Sequence, residues 1–344
     1  YWLYRTCMFG PWYSEQIPAI IREVNSRYDV DGFFTNGWPG SSLPGRCYCQ
    51  PCRKQFGELP PEPRPSDRRY RSFVESHLER VKTIWELWDK AAKEKKPQSL
   101  YIGNLGGGPR AALNLKALKP PMAWFNADHQ GRSGNTPLWD AALQGRVCRA
   151  VMGRGTATIV TGAYANAQPL WRHTAKAAAE ARLWLAETVA SGNVPWWHWL
   201  GASTQDRRWM EVGRVFYQWH AAHSAHFENR RSLAEVALVW SQATNAFYRA
   251  EGPRVLRGAD RAQMQDHFQG FVYALLQARI PFDLVHEDDL GLLGEPAAPY
   301  RAVVLPNVAL LSDQQCDQLA GYLGRGGSLV ATFETSLYDR RGQP

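Results

Sequence analysis

The sequence predicts an α/β protein in two units, and three observations carry that expectation. Strand-like apolar runs alternate with amphipathic runs of helical length along nearly the whole chain. Polar and aromatic residues gather just after each strand-like run, where a parallel sheet with helices outside it builds its sites. The rhythm changes near residues 228–234, which divides the chain into residues 1–230 and 231–344.

In the first unit, Val30-Asp31-Gly32-Phe33-Phe34 reads as a short buried strand, and a Gly-, Pro- and Ser-rich loop follows over 37–45. A long amphipathic helix spans about 66–96, because Phe73, Val74, Leu78, Val81, Trp85 and Trp88 recur at three- and four-residue spacing. Further strands are expected at 99–103, 122–125, 156–160 and 194–200, with helices at about 137–151, 174–191 and 208–226. In the second unit, strands are expected at 235–240, 282–285, 301–305 and 327–331, with helices at 262–279 and 313–324, a flavodoxin-like rhythm. Gly324-Arg325-Gly326-Gly327 is a turn after a helix, and no Gly-rich phosphate loop opens a helix anywhere. No internal repeat is evident.

Composition narrows the function classes. The 344 residues are 44% hydrophobic and 21% charged, the balance of a chain that buries a core. No window reaches the length of apolar sequence a membrane-spanning helix needs, so no membrane partner is expected. The net charge of +8 is scattered among acids, as in Arg207-Arg208 before Glu211, and reads as a solvated surface, so no nucleic-acid partner is expected. The chain opens mid-pattern on Tyr1, not Met. Both ends read as cut. A cytoplasmic location is favoured, with a leader ahead of residue 1 as the alternative. Fifteen tryptophans are present, and fourteen of them precede residue 235. Tryptophan joins a broad apolar face to one N–H donor, which suits cores, interfaces and sugar-stacking platforms.

The residues after the strands give the candidate site: Asn36 and Trp38; Asn104; Asn126, Asp128, His129 and Arg132; Tyr164; and Trp197, His198 and Trp199. Such a lining suits a carbohydrate, since indole faces cover C–H surfaces while amides and carboxylates fix hydroxyls. Asp128 and His129 could supply acid–base chemistry, and Asp128 could equally cap a turn. Along Trp196-Trp197-His198-Trp199 alternate residues face opposite sides, so one pair lines the site while the other packs under helices. His198 is equally readable as a core residue. Cys47-Tyr48-Cys49-Gln50-Pro51-Cys52 is a metal-ligand spacing, and Cys7 is the natural fourth ligand of a structural zinc. Cysteines left unpaired or linked by disulfides on a loop are the alternative. Cys148 and Cys316 read as small buried residues.

These residues carry a resemblance. The stretch Arg5-Thr6-Cys7-Met8-Phe9-Gly10-Pro11-Trp12-Tyr13, the strand ending in Thr35-Asn36 and the cysteine cluster resemble glycoside hydrolase family 42, and within it the related group known as hypothetical glycosyl hydrolase 6. The resemblance implies a (β/α)8 TIM barrel followed by a flavodoxin-like trimerisation domain. It also implies a zinc bound by Cys7, Cys47, Cys49 and Cys52, and a homotrimer acting on a carbohydrate such as a galactoside. The strand at 30–36 would then be the fourth of the barrel, with three more ahead of residue 1. Two departures matter. The family carries an Asn-Glu pair after the fourth strand, whereas Gly37 follows Asn36 here. Its nucleophilic Glu follows the seventh strand, whereas Val160-Thr161-Gly162-Ala163-Tyr164-Ala165-Asn166 contains no carboxylate. Asp128 is the best remaining candidate. Two readings follow: a glycoside hydrolase using other carboxylates, or a carbohydrate-binding barrel that has lost them. A nucleic-acid binder using the cysteines as a zinc knuckle is the third and weakest.

Overall fold

The computed structural model describes residues 6–36, 47–58, 68–106, 108–109, 114–119, 121–132, 136–164, 174–199, 207–228, 231–248, 262–295, 298–340 and 342. Among the described residues the first unit holds five parallel strands in sequence order: β1 (Gly32–Thr35), β2 (Leu100–Gly103), β3 (Trp124–Asp128), β4 (Thr156–Gly162) and β5 (Val194–His198). β1 pairs with β2, and β3, β4 and β5 form a second ladder. One parallel bridge, Asn104 to Asn126, joins the two.

The helices of this unit are α1 (Ile17–Arg27), α2 (Gln50–Phe56), α3 (Arg68–Lys93), α4 (Asp140–Met152), α5 (Ala178–Ala190) and α6 (Arg208–Ala222). A π-helical turn, Trp12–Gln16, runs into α1. Strand pleating sends alternate residues to opposite faces and decides the layers. Tyr101, Phe125, Ala127, Ala157 and Ile159 point outward and are buried with Val81, Ile84, Trp85 and Trp88 of α3 and Val147, Cys148 and Val151 of α4. The alternate residues, Phe34, Ile102, Trp124, Asn126, Asp128, Thr158, Trp196 and His198, therefore share the inner face. The Phe34 and Trp196 rings meet edge to face at 5.7 Å, so the first and last strands approach one another across it.

Among the described residues the second unit is a four-stranded parallel sheet of β6 (Val236–Trp240), β7 (Phe282–His286), β8 (Ala302–Leu305) and β9 (Ser328–Ala331), in the order β7-β6-β8-β9. Its helices are α7 (Gln242–Phe247), α8 (Ala262–Gln277) and α9 (Asp313–Gly324). Ser312 and Gln315 form a capping box at the start of α9, satisfying N–H groups that the helix cannot pair internally. The two units share one core, in which Leu238, Trp240, Phe282, Leu284 and Val304 join the cluster that contains Trp85 and Phe125. Arg146 of α4 donates from Nε to the Phe282 carbonyl at 3.2 Å and lays its guanidinium over the Phe282 ring at 4.5 Å.

The α/β class and each expected strand and helix are present, with shifted ends. The shift that matters most for the site is β3, expected at 122–125 and found at Trp124–Asp128. Asn126 and Asp128 are therefore strand residues, not loop residues. Their apolar partners Phe125 and Ala127 alternate with them, and an apolar-run reading stops at the first asparagine. α1, α2 and α7 carried no expectation. Trp38, Asn166 and the loop at 37–45 lie outside the described residues.

Candidate functional site

The inner face of the first unit carries a continuous chain of side-chain hydrogen bonds across β1–β4, running from the start of β3 to the strand ends. Trp124 donates from Nε1 to Thr158 Oγ1 at 3.0 Å, and Thr158 donates to Asn126 Oδ1 at 2.8 Å. Asn126 reaches Asn104 Oδ1 at 3.5 Å. Asn104 Nδ2 uses both of its hydrogens, donating to Asn36 Oδ1 and to Asp128 Oδ2, each at 2.9 Å. Gln130 Nε2 donates to the other Asp128 oxygen at 2.5 Å, and the Tyr164 hydroxyl donates to Gln130 Oε1. Asn126 is fully buried. A buried amide is tolerated only when it is paired, so this ladder holds the strand ends in register as well as presenting polar groups.

Asn36, Asn104, Asn126, Asp128 and Tyr164 are thus brought together. His129 is not. The pleat turns it to the other side, where its ring stacks on Trp184 at 5.0 Å with the planes 5° apart. Its Nε2 lies 2.8 Å from Asp140 Oδ2, close enough for an ion pair but outside hydrogen-bond geometry. Lys176 Nζ sits 4.0 Å from the centre of the Trp184 ring. Burial lowers the Lys176 pKa to about 8, against the pull of Glu180. Arg132 is held by a bidentate pair with Glu180 at 2.8 and 3.1 Å and also donates to the Thr136 carbonyl at 3.1 Å.

The aromatic run on β5 divides by pleat. Trp197 packs outward under α6, donating from Nε1 to the Trp209 carbonyl at 3.0 Å, while its backbone N–H meets the Tyr217 hydroxyl at 3.1 Å. Trp199 stacks on Trp209 at 5.4 Å with parallel planes. His198 faces inward beside Trp196, their rings 6.5 Å apart. Trp196 therefore joins the inner face, a residue that alternation alone left undecided between the two sides. Trp124, Thr158 and Gln130 also join it. Trp124 shares the two-residue alternation of Asn126 and Asp128 along β3, whereas Thr158 on β4 and Gln130 beyond β3 are joined to the face only by the fold.

The four cysteines converge. One sulfur from each of Cys7, Cys47, Cys49 and Cys52 lies within 4.8 Å of every other, and this is the only such group among the described residues. Cys7 Sγ is 3.5 Å from Cys52 Sγ and 3.4 Å from Cys49 Sγ, and Cys47 and Cys49 are 3.4 Å apart. Four thiolates about 2.3 Å from one tetrahedral ion would stand about 3.8 Å apart, so the donor set fits a metal ion of that kind. Cys49 precedes α2 and Cys52 lies in its first turn. For Cys49, burial acts upward, but the Cys52 N–H and the neighbouring thiols outweigh it and bring the thiol down to about 7. Burial pushes Cys7 up to about 11. The cluster packs on Tyr70, Phe73 and Val74 of α3, with Phe247 of the second unit alongside.

Residues 234–343 match the family model described as beta-galactosidase trimerisation domain. Among solved structures, the chain resembles a beta-galactosidase from Bacillus circulans sp. alkalophilus (TM-score 0.74, 16% identity, 98% of this chain, 57% of that one). It also resembles a catalytic mutant of a GH42 beta-galactosidase from G. stearothermophilus (TM-score 0.70, 16% identity, 98% and 57%). A third is alpha-L-fucosidase isoenzyme 2 from Paenibacillus thiaminolyticus (TM-score 0.67, 20% identity, 94% and 45%). The chain spans about half the length of these structures. No curated protein matches the sequence. The chain is thus GH42-like in fold across nearly all of its length.

Proposed function

We propose that this chain is the site-bearing part of a glycoside hydrolase acting on a galactoside or a related sugar. The carrying observation is the polar ladder Asn36–Asn104–Asp128–Gln130 on the inner face of parallel strands, at their C-terminal ends, with Trp124, Trp196 and Phe34 beside it. The GH42-like fold supports the reading and extends it: β1–β5 belong to a (β/α)8 barrel over residues 1–230, and residues 231–344 form a trimerisation unit. Barrels place their chemistry at that end of the strands.

In this reading Asp128 is a reacting carboxyl group, and Asn36, Asn104 and Asn126 bind sugar hydroxyls. Tyr164 orients Gln130, which in turn orients Asp128. Trp196 and His198 face the sugar. Trp197, Trp199, His129 and Arg132, packed elsewhere, support the walls. Glycoside hydrolysis uses two carboxyl groups, about 5–5.5 Å apart for retention and about 6.5–9.5 Å for inversion. No second carboxylate stands at the C-terminal ends of β1–β5 among the described residues. The four cysteines hold a structural zinc that fixes the start of α2 against α3.

A second reading, sugar binding without hydrolysis, is favoured by the state of Asp128 itself. Both of its oxygens already accept amide N–H groups, as suits a fixed acceptor for a hydroxyl. Turnover of aryl galactosides and fucosides by the wild type and by Asp128→Asn separates the two. The hydrolase reading expects a loss of about 100-fold or more with unchanged melting temperature. Sugar binding with no turnover in either protein would select the second reading.

A further inference from the structure

The stretch that leaves β2 just after Asn104 does not pack only on its own sheet. Leu105, Leu115 and Leu118 are buried in the core shared with Trp240. Four polar contacts tie the same stretch to the C-terminal ends of β6 and β7. Trp240 donates from Nε1 to the Pro109 carbonyl at 3.0 Å. The Leu115 N–H donates to Gln242 Oε1 at 3.0 Å. Asn114 Nδ2 donates to Asp288 Oδ2 at 3.1 Å, and Lys116 Nζ reaches Asp289 Oδ2 at 2.5 Å.

Gln242 is itself held. His286 is fully buried, and its Nδ1 accepts the Asp288 N–H at 3.2 Å. Its Nε2 therefore carries the proton and donates to Gln242 Oε1 at 3.1 Å. That one amide oxygen accepts both the imidazole and the Leu115 N–H. Buried Glu287 fixes the start of α7, accepting the Ala243 N–H at 2.7 Å and the Ser241 hydroxyl. In open parallel sheets the C-terminal strand ends are where a ligand is usually received. At β6 and β7 they receive this chain's own first unit.

We propose that Gln242 and His286 are positioning residues for the candidate sugar site, gripping the segment at Leu115 and so fixing the end of β2 where Asn104 contacts Asp128. The grip stands on the contacts above; its effect on turnover rests on the glycosidase reading.

Hydrogen–deuterium exchange tests the grip without any substrate. Gln242→Leu keeps the side-chain bulk and removes the acceptor. It is expected to raise exchange about tenfold or more in peptides covering 104–106, 114–119 and 124–130, with α9 and β9 at wild-type rates. His286→Phe, which keeps a ring and removes the Nε2 donor that holds Gln242, is expected to raise exchange at 114–119 and decides the matter alone if Gln242→Leu does not fold. Unchanged exchange at 114–119, or an equal rise across both units, would overturn the proposal. Where the wild type hydrolyses a glycoside, Gln242→Leu should lower kcat/KM at least about fivefold. Opening of 114–119 with kcat/KM unchanged would overturn the link to the site. Failure of the glycosidase reading would show separately, as wild-type turnover that is absent or insensitive to Asp128→Asn.

Discussion

Trp196 and Trp197 are neighbours in sequence with opposite surroundings, and their substitution should separate binding from packing. Trp197 lies under α6 with its N–H paired, so Trp197→Ala should cost ~3 kcal/mol in chemical denaturation. Trp196 stands 37% exposed on the inner face, so Trp196→Ala should cost less than ~1 kcal/mol and weaken sugar binding about tenfold in titration calorimetry. The sequence made this pair visible as an alternation but carried no sign of which side faced in. That sign comes from Gly213, across the helix layer. Asp128 and the three asparagines stand out by residue type after strand-like runs, and the structure joins them by hydrogen bonds. Gln130 does not stand out, because a lone glutamine in a loop has no pattern until Tyr164 folds over it. Glu287 offers a titration of its own. Burial lifts its carboxyl to about 7 from an ordinary 4.5. The folded state thus holds that proton more tightly than the unfolded chain, and the stability it contributes is lost as pH rises from about 4.5 through 7. Glu287→Gln should flatten that fall in melting temperature between pH 5 and 8; an unchanged pH profile would remove Glu287 as its source.

At the scale of elements, the outer layer is set by close approach. A Cβ on Gly213 of α6 would lie 2.7 Å from Trp197 Cδ1, so the helix packs on the indole only because that position lacks a side chain. Gly213→Ala should destabilise the protein by about 1–3 kcal/mol in denaturant titration, although alanine is the better helix former. A neutral or stabilising effect would contradict the packing of α6 on β5. The long α3 was legible from its apolar spacing because it buries one continuous stripe. β3 was not fully legible, since half of its residues are polar and satisfied by neighbouring strands. α2 escaped notice because it is short and begins within the cysteine cluster, whose spacing reads as a ligand set and not as a helix.

For the whole molecule, two parallel sheets share one core and one set of polar ties, and the sequence shows a change of rhythm between them near residues 228–234. Their joining was not legible, because Leu115 meeting Gln242 has no local signature in sequence. The cysteine cluster belongs to this scale too, since it packs where α3 meets Phe247. We expect one zinc per chain by elemental analysis, and a lowered melting temperature when chelator removes it. A folded, reduced protein with no bound metal would refute the site. No helix among the described residues is long and apolar enough to cross a membrane. The match to a trimerisation domain leads us to expect a trimer in sedimentation, a matter separate from chemistry. In the proposed reading the chemistry turns on Asp128. The most direct measurement is steady-state hydrolysis of a panel of aryl glycosides by the wild type and by Asp128→Asn, with circular dichroism to confirm the fold. The expected result is measurable wild-type turnover reduced about 100-fold or more in the folded variant. Equal turnover in the two proteins would contradict it.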